Sequence, residues 1–113
     1  MRRGDVLDVD LPLVPGSRVQ GGRRPAVLLL TDEASKVNPV VSVVPVTGTP
    51  EATRFQFTFQ IAPSGANGLT APSVALVFQM MAVDRIAIAR VRGHLEEQYI
   101  TQLDAVLREM LGL

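Results

Sequence analysis

Side chains that could bind an anion are concentrated around a glycine-rich turn near the start of the chain. They are Ser17, Arg18, Arg23 and Arg24, on either side of Gly21-Gly22. Backbone amides of such a turn can approach an anion closely, and the planar guanidinium of arginine matches the geometry of phosphate. The pattern indicates an anion site at the start of the apolar strand that follows. The residues alone leave open a second interpretation, in which Arg23 and Arg24 are ordinary solvated charges.

Arg24 differs from its neighbours because Pro25 follows it. Proline restricts the residue before it to extended backbone conformations. The Arg24 guanidinium is therefore expected to project from a strand and not from a flexible loop. A cation held rigidly in this way suits anion recognition or the stabilisation of developing charge.

Other kinds of active site find little support in the sequence. The chain has no cysteine, which excludes disulfides and thiolate zinc sites. It has one histidine, His94, and no metal-ligand spacing, phosphate loop or dinucleotide fingerprint, so neither metal nor cofactor is predicted. We interpret His94 as the N-cap of a helix. Asp8 and Asp10 share one face of a strand and are interpreted as solvated carboxylates, not as a catalytic pair.

Length and composition predict one folded domain, residues 1–113. No apolar run reaches the roughly 18 residues of a membrane span, and no apolar segment follows the N-terminal arginines, so a cytoplasmic protein without a signal peptide is expected. The net charge is zero, yet ten of the eleven cations are arginine. Arginine codons of a GC-rich genome and a phosphate-bearing partner both explain this bias.

Hydrophobic periodicity predicts a mainly β protein with a C-terminal helix. The clearest strand is Arg54–Ile61, in which Phe55, Phe57 and Phe59 alternate with polar residues. The other predicted strands are Asp5–Leu11, Arg24–Leu30, Val40–Val46, Ser73–Phe78 and Met80–Val83, with a loop between the first two. From Leu95 the apolar period becomes helical and ends at Gly112. These elements predict a small, strongly bent β-barrel covered by one helix.

Several short motifs stand in order along the chain: Arg3–Val6, Gly16-Ser17, Gln20–Val27, Val43–Thr47, Gln79 and Val83–Arg85. Together they resemble the MazF/PemK toxins, bacterial ribonucleases of toxin–antitoxin pairs with an SH3-like barrel of the CcdB/PemK type. Each motif is short, but their order and spacing cover essentially the whole chain.

The resemblance implies roles for individual residues. Arg24 matches the family's catalytic arginine and Thr47 its catalytic threonine. Gln79 matches a position that lines the RNA groove, and Ser17 and Gln20 fall in the loop that gates it. Arg18 and Arg23, in the same segment, are expected to bind RNA as well. The loop departs from the family pattern because Arg18-Val19 replace a glutamate, which lengthens it by a residue and reverses its charge.

The implied activity is sequence-specific, metal-independent cleavage of single-stranded RNA. The 2′-hydroxyl attacks the neighbouring phosphate and leaves a 2′,3′-cyclic phosphate and a 5′-hydroxyl. The resemblance also implies a homodimer and a cognate MazE-like antitoxin. The adjacent Met80 and Met81 fit a dimer interface, although methionine also serves as core filler.

Two other functions fit the same fold. Related CcdB toxins poison gyrase through a C-terminal Trp-Gly-Ile, whereas this chain ends in Leu111-Gly112-Leu113 and has no tryptophan. A non-catalytic SH3-like binding module is the other alternative. The presence of both Arg24 and Thr47 argues against it.

Overall fold

The computed structural model describes residues 1–113, which form seven strands and two α-helices. In chain order these are β1 (Asp5–Leu11), β2 (Gly22–Leu28), α1 (Asp32–Val37), β3 (Val40–Thr47), β4 (Thr58–Ile61), β5 (Ser73–Leu76), β6 (Met81–Asp84), β7 (Ile88–His94) and α2 (Glu97–Leu111). Short 3-10 helices cover Pro50–Arg54, Val77–Gln79 and Arg85–Ala87.

All strand pairs are antiparallel, in the order β4-β5-β3-β2-β1-β7, and β6 pairs with β3 beside this path. The two ends of the path, β4 and β7, do not pair with each other. The predicted class, mainly β with a C-terminal helix, is confirmed. The bent sheet remains open and forms an incomplete barrel.

β3 changes partner along its length. Its residues 43–45 pair with β2 on one side, and residues 40–43 pair with β6 on the other. On the same side as β6, residues 46–47 pair with β5, which the 3-10 helix Val77–Gln79 separates from β6. Pro45 forms the last pair with β2, where a residue without an N–H can end a ladder. The end of β3 thus leaves β2 and continues in a second sheet.

Strand alternation divides the core into two clusters, one on each face of the central strands. The first includes Val6, Val27 and Val44, and α2 packs against it through Tyr99 and Leu103. The second cluster lies on the opposite face. It contains Leu7, Val9, Leu11, Ala26, Leu28, Val41, Val43 and Val83.

The predicted C-terminal helix is confirmed, but it begins two residues later than its apolar stripe suggested. Leu95, Tyr99 and Leu103 are buried, and Gly112 ends α2 with a φ of 73°. The interpretation of His94 as the N-cap is wrong. His94 is the last residue of β7, where it pairs with Asp5, and its Nδ1 lies 2.9 Å from Asp5 Oδ1. Continued pairing with β1 delays the start of the helix.

Other elements also differ from the sequence expectations. The strand predicted at Arg54–Ile61 begins only at Thr58, because Pro50–Arg54 is a 3-10 helix and Phe57 has a φ of 61°. The strand predicted at Ser73–Phe78 stops at Leu76. α1 and β7 were not anticipated. β7 carries no regular alternation of apolar and polar residues, and α1 is short and is capped by the Thr31 side chain.

A partly buried hydrogen-bond network joins the loop before β5 to the start of α2. Glu96 accepts hydrogen bonds from Ser64 Oγ at 2.9 Å and from Asn67 Nδ2 at 3.1 Å. Asn67 is fully buried and its Oδ1 accepts the backbone N–H groups of Ser64 and Leu69. Burial raises the pKa of Glu96, but hydrogen bonds from Ser64, its own backbone amide and Asn67 hold that pKa below its ordinary value.

We predict that Glu96→Gln lowers the free energy of unfolding at pH 7 by about 1 kcal/mol, because Ser64 and Asn67 donate to different carboxylate oxygens and the amide keeps only one of these acceptors. Partial exposure to solvent limits the loss. The pKa of Glu96 in the folded protein is lower than the value of about 4.3 expected in the unfolded chain, so the ionised carboxylate stabilises the fold above about pH 4.3. This contribution is lost as the pH falls through the folded-state pKa. The difference between wild type and variant should therefore narrow below about pH 4.3.

Urea unfolding at pH 7 and at pH 3 measures this effect. Glu97→Gln is the matched control, because Glu97 is exposed and its side chain makes no hydrogen bond in the structure. Equal stability changes in the two variants at pH 7 would contradict the role of the network.

Candidate active site

A cavity of about 670 Å³ opens beside the C-terminal end of β3. Its wall includes the end of β3, the 3-10 helix Pro50–Arg54, the segment after β5 and the loop before β2. The lining residues are Arg18, Gln20, Thr47, Thr49, Ala52, Arg54, Phe55, Leu76, Phe78 and Gln79. The structure thus brings four residues predicted from the sequence, Arg18, Gln20, Thr47 and Gln79, to one place.

Thr47 is the last residue of β3, and only 4% of it is exposed. Its Oγ1 accepts the backbone N–H of Thr49 and donates to the Thr49 hydroxyl, both at 3.3 Å. Two hydroxyl groups therefore lie together in the cavity wall. Thr49 was not singled out in the sequence, although its place two residues after Thr47 is the signal that could have identified it.

Arg24 lies on β2 next to the point where the β2–β3 ladder ends. The last pair is Ala26 with Pro45, and continuing the same register by two residues sets Arg24 against Thr47. Alternation also places both residues on one face of the sheet. Arg24 does not line the cavity itself. Its Nε donates to Gly21 O at 2.9 Å, and its two terminal nitrogens make no hydrogen bond within the protein.

The two glycines before Arg24 serve different purposes. A Cβ on Gly21 would lie 2.7 Å from Pro12 O, so only glycine allows this close approach to the end of β1. Gly22 has a φ of 79°, in the left-handed region that glycine adopts without strain. Together they place the Gly21 carbonyl where it accepts the hydrogen bond from Arg24.

The side chain of Gln79 attaches the loop before β2 to the sheet. Its Oε1 accepts the backbone N–H of Gln20 at 2.9 Å, and its Nε2 donates to Arg18 O at 3.2 Å. Gln79 is the last residue of the 3-10 helix Val77–Gln79, which lies between β5 and β6. The Gln20 side-chain oxygen is buried beside it without a hydrogen-bond partner.

The cavity lining is cationic although the protein as a whole is neutral. It contains the guanidinium groups of Arg18 and Arg54 and no carboxylate. Five of the ten arginines pair with aspartates elsewhere, namely Arg2, Arg3, Arg23, Arg90 and Arg92. The unpaired arginines include the two in the lining and Arg24. An anionic ligand would complement this surface.

Besides Arg24, two other residues predicted to contact a ligand do not line the cavity. Arg23 lies on the other face of β2 from Arg24 and donates to both carboxylate oxygens of Asp10, at 2.8 and 3.0 Å. The hydrogen bond from Arg23 lowers the pKa of Asp10, and the same bond raises the pKa of Arg23. Ser17 is exposed in the loop, where its Oγ accepts the backbone N–H of Val19. Neither residue lines the cavity.

The cavity also contains residues whose role the sequence did not indicate. Phe55 is 44% exposed, although the alternation predicted a strand there, and Phe78 is 38% exposed. Their ring centroids lie 5.4 Å apart, and the Arg54 guanidinium lies 4.5 Å from the centre of the Phe55 ring. Each phenylalanine stands next to a polar residue suited to nucleic acid, Arg54 or Gln79. This arrangement is the signal in the sequence that could have identified the two rings as part of a binding site.

No group of three or more histidine, cysteine or acidic side chains is arranged to hold a metal ion. Neither helix is long and apolar enough to cross a bilayer.

Comparison with known proteins identifies relatives of the whole chain. A family model for the PemK-like, MazF-like toxins of type II toxin–antitoxin systems matches residues 2–111. The chain is 32% identical to the endoribonuclease MazF of Staphylococcus saprophyticus, over all of this chain and 92% of that protein.

Solved structures share the fold. MazF from Deinococcus radiodurans superposes with a TM-score of 0.80 at 22% identity, over 100% of this chain and 97% of that one. An endoribonuclease from a mycobacterial species, in complex with its cognate antitoxin, superposes with a TM-score of 0.78 at 18% identity, over 100% and 96%.

We predict that Gln79→Ala makes the loop before β2 more accessible to trypsin at Arg18. Losing two hydrogen bonds, each worth about 1 kcal/mol, should raise the open population of the loop roughly 5- to 30-fold. The initial rate at which the 1–18 fragment appears, measured by mass spectrometry, reports this opening.

Gln98→Ala serves as the matched control, because Gln98 is exposed on α2 and its side chain makes no hydrogen bond. Cleavage after Arg92, within β7, reports global unfolding and should not change. An unaltered rate at Arg18 in Gln79→Ala would show that the two hydrogen bonds do not hold the loop.

Proposed function

Because the chain belongs to the PemK-like, MazF-like toxins of type II toxin–antitoxin systems, we propose that it is a sequence-specific endoribonuclease acting on single-stranded RNA. Its relative from Staphylococcus saprophyticus is named an endoribonuclease. The observation in the structure that best supports this function is the position of Thr47. Its hydroxyl lies in a cationic cavity without carboxylates, on the same sheet face as Arg24. Such a surface complements a phosphodiester.

The proposed reaction uses the nucleophile that RNA already carries. The 2′-oxygen loses its proton and forms a bond to the adjacent phosphorus, and the bond from phosphorus to the 5′-oxygen breaks. The 5′-oxygen gains a proton, which leaves a 2′,3′-cyclic phosphate and a 5′-hydroxyl. The protein must fix an in-line geometry and stabilise the charge that gathers on the phosphoryl oxygens.

Arg24 and Thr47 are the proposed catalytic residues. The Arg24 Nε is held by the Gly21 carbonyl, which leaves the two terminal nitrogens to donate to phosphoryl oxygens. The Thr47 hydroxyl can turn from Thr49 to donate a further hydrogen bond. A guanidinium does not give up its proton in proteins and is therefore a poor general base, so we assign Arg24 to charge stabilisation. Arg18, Gln20 and Gln79 are proposed to bind RNA along the cavity.

The substrate class follows from the chemistry. In-line attack requires a nucleotide that can rotate out of a helix, which favours single strands over duplex. DNA lacks the nucleophile. Neither step calls for a metal ion, and we propose that the reaction is metal-independent, so cleavage should persist in EDTA.

Family membership is also the basis for our proposals on the oligomeric state, the antitoxin and the cellular location. We propose that residues 1–113 act as one toxin domain, in the cytoplasm, as a homodimer inhibited by a MazE-like antitoxin. The mycobacterial relative was solved with its cognate antitoxin. Met80, which is 36% exposed beside the cavity loop, supports a contact surface there.

We predict that Arg24→Ala and Thr47→Val each reduce cleavage of a long single-stranded RNA roughly 100- to 1000-fold, the effect of removing one donor to a developing oxyanion. Arg24→Lys should recover little, because an ammonium lacks the planar fork. Thr47→Ser, which keeps the hydroxyl, should retain most of the rate. Product ends are mapped with EDTA present.

Arg108→Lys is the matched control for Arg24→Lys, since Arg108 is exposed on α2 and makes no ion pair. Its activity should equal that of wild type. Full activity in Arg24→Lys would refute the role of the fork, and a wild-type protein that leaves RNA intact would favour a non-catalytic module.

We also predict that one 2′-deoxy substitution at the mapped cut site abolishes cleavage while affinity changes little, because only the attacking oxygen is removed. Deoxy substitutions elsewhere in the same oligonucleotide should leave cleavage intact. Fluorescence anisotropy measures binding alongside the cleavage assay. Cleavage at the substituted position would exclude attack by the 2′-hydroxyl.

A further inference from the structure

Two exposed phenylalanines form one wall of the cavity that contains Thr47. Phe55 follows the 3-10 helix Pro50–Arg54, and Phe78 lies within the 3-10 helix Val77–Gln79. Their ring planes are tilted by 48°, with centroids 5.4 Å apart. Aromatic rings this exposed lose the benefit of burial, and paired exposed rings mark interaction surfaces.

The surroundings of the pair indicate the chemistry of its ligand. The Arg54 guanidinium lies over the Phe55 ring, and a hydrogen bond from its Nη1 to Glu51 O holds it there. Arg18 lies elsewhere in the same lining, which has no acidic side chain. A cavity that combines aromatic faces with cations fits a strand of planar bases joined by phosphates.

We propose that Phe55 and Phe78 form a stacking subsite for one unpaired nucleobase of the RNA, next to the nucleotide whose phosphate lies at Thr47. This inference rests on the proposed function, since it takes RNA as the ligand. The cavity of about 670 Å³ is large enough to accept a base.

The tilt between the rings limits how the base can bind. Because the two rings are not parallel, a flat base stacks on one ring and meets the other edge to face. Arg54 covers one face of Phe55, so a base on Phe55 would use the opposite face. Stacking of this kind tolerates any base, since every base has a π face.

The test combines ring variants with removal of single bases. The probe is a ten-nucleotide RNA containing the mapped cut sequence, made with 2′-O-methyl riboses so that it is bound but not cut, and then with an abasic nucleotide at each position in turn. Phe78→Leu and Phe55→Leu keep apolar volume but lose the ring, and Phe78→Tyr keeps the ring. Ile86→Ala, at a 90% exposed apolar residue outside the cavity, is the control.

We expect Phe78→Leu or Phe55→Leu to bind the intact probe roughly 5- to 100-fold more weakly, the range reported for one stacked base. Phe78→Tyr and Ile86→Ala should bind like wild type. Removing one particular base should weaken wild type by a similar factor and should not weaken the leucine variant further. This loss of coupling at a single position is the distinguishing result. If the rings had only a structural role, the leucine variants would bind more weakly whichever base of the probe was removed.

Equal affinity of the leucine variants and wild type, or uniform losses without coupling, would overturn the subsite. So would leucine variants that bind RNA normally but no longer bind the antitoxin, which would assign the rings to a peptide. A ten-nucleotide oligo(A) probe needs no mapped cut site, so the comparison of Phe78→Leu with Phe78→Tyr remains valid if RNA is not cleaved. If cleavage depends on Arg24 but the ring variants show no coupling to any single base, the nuclease proposal stands and only the stacking subsite is refuted.

Discussion

The change of partner along β3 is the constraint on which the candidate site depends. If β2 stayed paired with β3 to the end of the strand, the edge of β3 beside Thr47 would be closed. Pro45 ends that ladder, and on the opposite edge of β3 the next two residues pair with β5. The separation of the two sheets beyond this point leaves space for a cavity, with a hydroxyl at the end of one strand and a guanidinium on the neighbouring strand. The interruption between β5 and β6 adds Phe78 and Gln79 to the same wall.

Ion pairing determines which cations remain available at this cavity. The adjacent arginines of β2 face opposite sides of the strand, and only Arg23 meets an aspartate. Asp8 likewise pairs with Arg90 and Arg92 of β7. Of these pairs, the exposed one between Arg23 and Asp10 adds little to stability. Their larger effect is on the electrostatic field, because they neutralise cations away from the cavity while Arg18, Arg24 and Arg54 stay unpaired. A neutral protein can thus present a locally positive surface.

Local patterns in the sequence predicted what depends on local interactions. The alternation in Asp5–Leu11 and the apolar stripe of α2 both correspond to observed elements. The regular alternation from Phe55 onward was misleading, because a 3-10 helix and the positive φ of Phe57 remove the first half of the segment from the sheet. The contacts of Gln79 with Arg18 and Gln20 span about sixty residues and depend on the final register. The pairing of Arg23 with Asp10 likewise depends on the register of β1 against β2.

The contacts of Gln79 have a consequence for how this loop can vary. Both of its hydrogen bonds reach main-chain atoms, an N–H and a carbonyl, which every residue except proline provides. The attachment is therefore indifferent to the identity of the side chains at positions 18–20. A substitution such as an arginine in place of an acidic residue alters the charge at the rim of the cavity and leaves the anchor in place. Natural variation can in this way diversify ligand preference without rebuilding the scaffold.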